Sequence, residues 1–149
     1  MTLRWLIATL HLLALPLGLG AVWVRARALR GPLDVDALKR VFAADGLWGG
    51  AAAIWLVTGL LRAFTGLEKG SAYYLANPFF HMKLTGFVLI ILLEIWPMVV
   101  LIRWRRKVRK GEPVDAGPAR AISRLSMIEA VVVVFVVFAA TALARGMRP

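Results

Sequence analysis

The chain has 149 residues, 60% of them hydrophobic, a formal net charge of +11 and no cysteine. Soluble domains sit near about 45–50% apolar, and here the apolar residues fall into four blocks of roughly twenty, each enough to cross a bilayer core of about 30 Å. These blocks leave no room for a separate catalytic domain, and the missing cysteine excludes disulfides, thiolate nucleophiles, iron–sulfur clusters and a Cys-X-X-Cys-His haem attachment.

The first block, about Leu3 to Val24, carries Trp5 and Trp23 near its ends, where amphipathic rings favour the membrane interface. It is too long for a signal peptide, has His11 in its middle and leads into Arg25, Arg27 and Arg30 without a cleavage pattern, so it reads as a helix of the mature protein. Gly31-Pro32 breaks the chain. Asp34 can then cap a short amphipathic helix over 35–44, with Leu38, Val41 and Phe42 on one side and Lys39 and Arg40 on the other. The second span runs from about Leu47 to Phe64 and opens with Gly46-Leu-Trp-Gly-Gly50, a small-xxx-small pattern that permits close helix approach.

Residues 65–77, with Gly66, Gly70, Tyr73 and Tyr74, read as a connection lying in the interface. Asn77-Pro78 starts the third span, which continues over 79–102 with a bend expected at Pro97. The basic run Arg103 to Lys110 and a Pro/Gly-rich loop follow. The first turns of the next helix, from Arg120 to Glu129, are expected to project into water before the Val-rich fourth span, 127–143. The fold class is thus all-α: one domain, 1–149, an integral membrane four-helix antiparallel bundle with a short amphipathic helix before the second span.

Lys and Arg set the orientation. Arg25, Arg27, Arg30, Lys39 and Arg40 lie between spans one and two. Arg103, Arg105, Arg106, Lys107, Arg109, Lys110, Arg120 and Arg124 lie between spans three and four, on the same side. The positive-inside rule places that side in the cytoplasm and both termini in the periplasm of a bacterial inner membrane. This asymmetry accounts for the basic charge better than nucleic-acid binding does, and the basic run is suited to anionic lipid.

Ionisable residues at membrane depth require a partner or a purpose. His11 lies about 12 Å in from the outer side at 1.5 Å per residue, and His81 stands near the outer start of span three. The two histidines therefore fall in the same half of the membrane on different helices, which suits axial ligation of a b-type haem. Alternatives remain for each: a helix-to-helix hydrogen bond for His11, an interfacial place for His81, a snorkelling role for Lys83. Steps of three and four put Arg4, Ala8, His11, Leu15, Gly18, Val22 and Arg25 on one stripe facing the bundle. Glu94 and Glu129 are expected to pair with Arg25, Arg103 or Arg124 near the inner surface, with a proton relay at Glu94 as the alternative.

The whole chain resembles a domain-of-unknown-function family of small bacterial four-helix inner-membrane proteins. The likeness rests on Leu10-His-Leu-Leu-Ala14, Val24-Arg-Ala-Arg-Ala-Leu-Arg30, Val41-Phe-Ala-Ala-Asp45, Gly66-Leu-Glu-Lys-Gly70, Tyr73-Tyr74, Asn77-Pro78 and Leu93-Glu-Ile-Trp-Pro-Met98. More distantly, His11 followed by Arg27, and His81-Met-Lys83-Leu84, are similar to two helices of the HemJ-type protoporphyrinogen oxidases. That resemblance implies a haem b bound through His81 and His11, with Arg27 and Lys83 serving propionates or structural charge. Ala26-Arg27 departs from the Pro-Arg pair of that family, and Pro16 to Gly20 from its Trp region.

The expected function is a membrane haem protein in electron transfer or tetrapyrrole oxidation, with a quinone or a membrane protein as redox partner. The other reading is a non-catalytic accessory subunit of a larger inner-membrane complex, or a homo-oligomer. Transport through the bundle is a third and weaker class, because no inverted repeat is visible.

Overall fold

A computed structural model describes residues 2–65 and 71–147. The expectations placed on Gly66, Gly70 and the stretch between them lie outside the described residues. The described elements are α1 (Thr2–Ala28), α2 (Val35–Phe64), α3 (Ser71–Leu75), α4 (Pro78–Arg109) and α5 (Ala119–Ala144), with no strand among them. Four of these, α1, α2, α4 and α5, are long and apolar enough to cross a membrane.

The amphipathic segment and the second span are one continuous helix. Nothing between Ala44 and Leu47 breaks it, since an isolated glycine such as Gly46 costs a helix only about 1 kcal/mol. Asp34 caps this helix as expected: its Oδ1 accepts from the Ala37 N–H at 2.7 Å. Asn77 does the same for α4, accepting from the Phe79 N–H at 2.9 Å, with Pro78 occupying the first turn. Pro97 is buried within α4 and does not end it. The helix stops instead at Gly111, whose φ of 72° is open to a residue without a Cβ. There the Glu112 N–H reaches the Lys107 carbonyl at 3.0 Å and the Gly111 N–H the Val108 carbonyl at 3.1 Å, a Schellman closure.

In the bundle α1 packs along α2 and α5, and α5 along α4, while α2 and α4 meet through long side chains rather than by close backbone approach. One apolar cluster gathers Leu29, Leu38, Leu101, Trp104 and Ile122, so the two basic loops share one end of the molecule. A second joins Val22, Trp48, Ile90 and Val133 deeper in. At the opposite end the Tyr73 hydroxyl donates to the Leu143 carbonyl at 3.0 Å and the Asn77 amide to the Met147 carbonyl at 3.4 Å. These bonds tie α3 and the start of α4 to the end of α5.

The outside of the bundle is apolar: Leu12, Leu13, Leu92, Phe135 and Phe138 are all exposed. In water that shell would be an aggregation hazard, and in a bilayer it is the solvated face. Trp5 and Trp23 are exposed as interface residues should be, whereas Trp48 and Trp104 are core residues.

Close approach uses different glycines from those the sequence pattern singles out. A Cβ on Gly46, Gly49 or Gly50 would meet nothing within 4 Å, so these glycines bring no other described helix close. A Cβ on Gly18 would stand 3.1 Å from Ala51 Cβ, and one on Gly86 would stand 2.5 Å from Val136 Cγ2. Valine has one strongly preferred rotamer on a helix and cannot simply swing aside. Gly86→Ala should therefore lower the stability of the detergent-solubilised protein by about 1–3 kcal/mol. Gly46→Ala should be neutral or slightly stabilising. Equal melting curves for Gly86→Ala and the wild type would show that α4 and α5 are not in such close contact.

Candidate functional site

The most highly connected polar group is the Arg25 guanidinium, on the last turn of α1 and wholly buried. A guanidinium carries five N–H donors in a fixed plane, and each has an acceptor here. Nε donates to Ser126 Oγ at 2.9 Å. Nη1 donates to Asp45 Oδ1 at 2.9 Å and Glu94 Oε1 at 2.7 Å. Nη2 donates to Glu94 Oε2 and Glu129 Oε2, both at 2.7 Å. Glu94 is thus held bidentately, the strong fork geometry for a carboxylate.

The cluster extends beyond Arg25. Asp45 Oδ2 accepts from Arg105 Nη2 at 2.7 Å, and the same nitrogen donates to the Phe42 carbonyl at 2.8 Å. The Arg105 guanidinium carbon stands 5.3 Å from the centroid of the Phe42 ring. The Trp48 indole donates to Glu94 Oε2 at 3.1 Å. Next to the cluster, Ser123 donates to the Ala26 carbonyl at 2.7 Å and fastens α5 to α1. All four long helices therefore meet at one charged node toward the basic-loop end.

Of the three partners expected for Glu94 and Glu129, Arg25 is the one both take. Asp45, Ser126, Trp48 and Arg105 were not singled out by sequence reasoning. Asp45 lies before the apolar block of its span and reads as a boundary residue. The signal was the stripe through His11, Gly18, Val22 and Arg25, which the structure places inward: Gly18, Val22 and Arg25 are buried and His11 half-buried.

At the α3 end the residues of the expected haem site separate. His11 Nδ1 is 2.8 Å from Thr58 Oγ1, and the Thr58 hydroxyl donates to the Ile54 carbonyl. With its own hydrogen so engaged, Thr58 accepts from His11, which puts the imidazole proton on Nδ1 and leaves the lone pair on Nε2. The Trp55 indole donates to the His11 carbonyl at 3.1 Å, and His11 Cε1 rests against Gly59. Lys83 and Arg62 are both within electrostatic reach of His11.

His81 is exposed, and its Nε2 donates to the Leu75 carbonyl at 2.9 Å. Lys83, two residues on, is half-buried and within electrostatic reach of His11, and the two-residue step puts His81 and Lys83 on different faces of α4. No hydrogen bond joins the two imidazoles among the described residues. Arg27 is exposed at the other end of α1, about 24 Å along the helix from His11. Two apolar grooves, of about 580 and 500 Å³, lie between α4 and α5 and between α1 and α5, and neither is lined by a histidine. Among the described residues no group of three or more His, Cys, Asp or Glu side chains could hold a metal ion.

The buried node makes a testable demand on stability. Removing a buried charge strands its partners, which typically costs about 3–5 kcal/mol, while replacing the whole set by neutral groups can be close to neutral. Arg25→Met should destabilise the solubilised bundle by roughly that amount, and adding Glu94→Gln and Glu129→Gln to it should recover most of the loss. Denaturant titration of the single and triple variants checks both, and a single variant as stable as the wild type would refute the assignment.

No curated protein and no solved structure matches the chain, so the likeness to HemJ-type oxidases rests on the two short motifs alone. Residues 3–148, nearly the whole chain, match the family described as Predicted membrane protein (DUF2214), and with its four membrane-crossing helices the protein belongs to that family.

Proposed function

We propose that this small multi-pass membrane protein binds haem b at its α3 end, with His11 as an iron ligand, and works in electron transfer or tetrapyrrole oxidation. The observation that carries the reading is the His11–Thr58–Ile54 chain. A neutral imidazole with its proton fixed on Nδ1 offers Nε2 to a metal, and a second partner that holds the tautomer is the usual companion of a ligating histidine. Lys83 and Arg62 supply positive charge near His11, which suits the two carboxylates of a porphyrin. The residues present fit the group at its ligand and at its charges.

Each residue has a distinct part. His11 would hold the iron, Thr58 would hold His11, and Lys83 with Arg62 would balance the propionates. Arg27 remains at the far end as structural charge. His81 would join as second ligand only after leaving the Leu75 carbonyl. Bound haem would supply a one-electron couple within the membrane, open to a quinone or a protein partner. Insertion in a bacterial inner membrane with both termini in the periplasm is the topology that the basic loops, sharing one end of the bundle, support.

Oxidised and dithionite-reduced spectra of the purified protein, with a pyridine haemochrome assay, test the reading. The expected result is one b-type haem per chain. The Soret band should disappear in His11→Ala, and affinity should fall roughly 10-fold or more in Thr58→Val. Retention of the band in His81→Ala would assign His11 as the sole histidine ligand, and its loss would assign the pair. A colourless protein after expression with ample haem would reject haem binding and favour an accessory subunit. Orientation is checked separately: a carboxy-terminal alkaline phosphatase fusion should be active, and a fluorescent cytoplasmic reporter at the same place would invert the topology.

A further inference from the structure

We propose that the buried node around Arg25 is a proton-binding site, which holds one exchangeable proton on the Glu94–Glu129 carboxylate pair and is reached from the side of Asp45 and Arg105. The charges facing this pair come from every long helix: Arg25 on α1, Asp45 on α2, Glu94 itself and Arg105 on α4, and Glu129 on α5. Three carboxylates therefore meet two guanidiniums. Inside a membrane an excess of one negative charge is costly, and one bound proton removes it.

The geometry says where that proton goes. Asp45, Glu94 and Glu129 present six carboxylate oxygens. Five of them accept from a guanidinium N–H. The sixth, Glu129 Oε1, is buried and has no hydrogen-bond partner among the described residues. Glu94 and Glu129 also share the single nitrogen Nη2 of Arg25 at 2.7 Å each, so two like charges converge on one donor. A pair of carboxylates so placed is the arrangement that retains a proton. The three acids do not converge as a metal-ligand set. A proton is therefore the unit of positive charge that fits.

Accessibility is graded across the node. Glu129 is 0% exposed, whereas Asp45 retains 15%, Glu94 19% and Arg105 38% of their side-chain surface. Asp45 and Arg105 form the more open edge, and Glu94, which shares Arg25 nitrogens with both Asp45 and Glu129, connects the closed oxygen to it. Uptake is the addition of a proton to a carboxylate, and release is its return along the same edge. No redox step is involved, so the site is independent of whether haem is bound at the other end.

Infrared difference spectroscopy of the intact protein tests this directly. The wild type at neutral pH should show a carboxylic-acid C=O band equivalent to one group per chain. It should shift down in heavy water and vanish on alkaline titration. Glu129→Gln should abolish the band. Glu94→Gln should abolish it too, although Glu129 is intact, because two carboxylates then match two guanidiniums and the excess charge is gone. Asp34→Asn, at the α2 cap, should leave it unchanged. A wild type without the band, as expected if the node is fully ionised with a water at Glu129 Oε1, would overturn the proposal. So would a band that survives in Glu94→Gln. If Glu129→Gln fails to purify, the wild-type titration and Glu94→Gln decide between these outcomes.

Discussion

Every long helix of this protein is answerable to one guanidinium. Arg25 satisfies all five of its N–H groups with acceptors on α2, α4 and α5, and among the described residues it is the side chain that links all four spans. In a bilayer the hydrophobic effect adds little to helix association, because lipid tails solvate leucine as well as a neighbouring helix does, so close packing and polar contacts carry it. A directional ionic node sets the azimuth of each helix. The apolar clusters on either side of it then fill space around an arrangement that charge has already selected.

The two ends of the bundle are built on different chemistry. Toward the basic loops the interior is ionic, closed and fully shared among helices. Toward α3 it is held by an imidazole, a threonine and backbone carbonyls, with two cations nearby. The glycines of closest approach, Gly18 and Gly86, lie between these regimes, where α1 meets α2 and α4 meets α5.

Much of the fold is legible in the sequence because bilayer thickness and basic-residue asymmetry are simple constraints. The four membrane-crossing helices, the cap at Asp34, the start of α4 at Asn77-Pro78 and the inward stripe of α1 all follow from local rules. Partner choice is harder. Depth alone brings Glu94 and Glu129 to the level of Arg25, but depth brings His11 and His81 to a common level as well. What separates the histidines is rotation about α4, which leaves His81 exposed and bonded to the Leu75 carbonyl. Asp45 escapes notice for a related reason: one uninterrupted α2 carries it inward from a segment that reads as surface. The small-xxx-small pattern at Gly46 is the opposite case, a local signal that the assembled bundle does not use.

The order in which the partners of Arg25 leave the ribosome bears on biogenesis. Arg25 and Asp45 are synthesised in the first third of the chain, while Glu94 and Ser126–Glu129 come in the last helices. A nascent α1–α2 hairpin thus enters the membrane with a cation matched by one carboxylate and with several donors unanswered. Those donors are met only once α4 and α5 dock. Chains truncated before α5, or stalled at that point, would expose a membrane-embedded charge, the kind of defect that membrane quality-control proteases remove. Completion of the bundle is in this sense its own checkpoint.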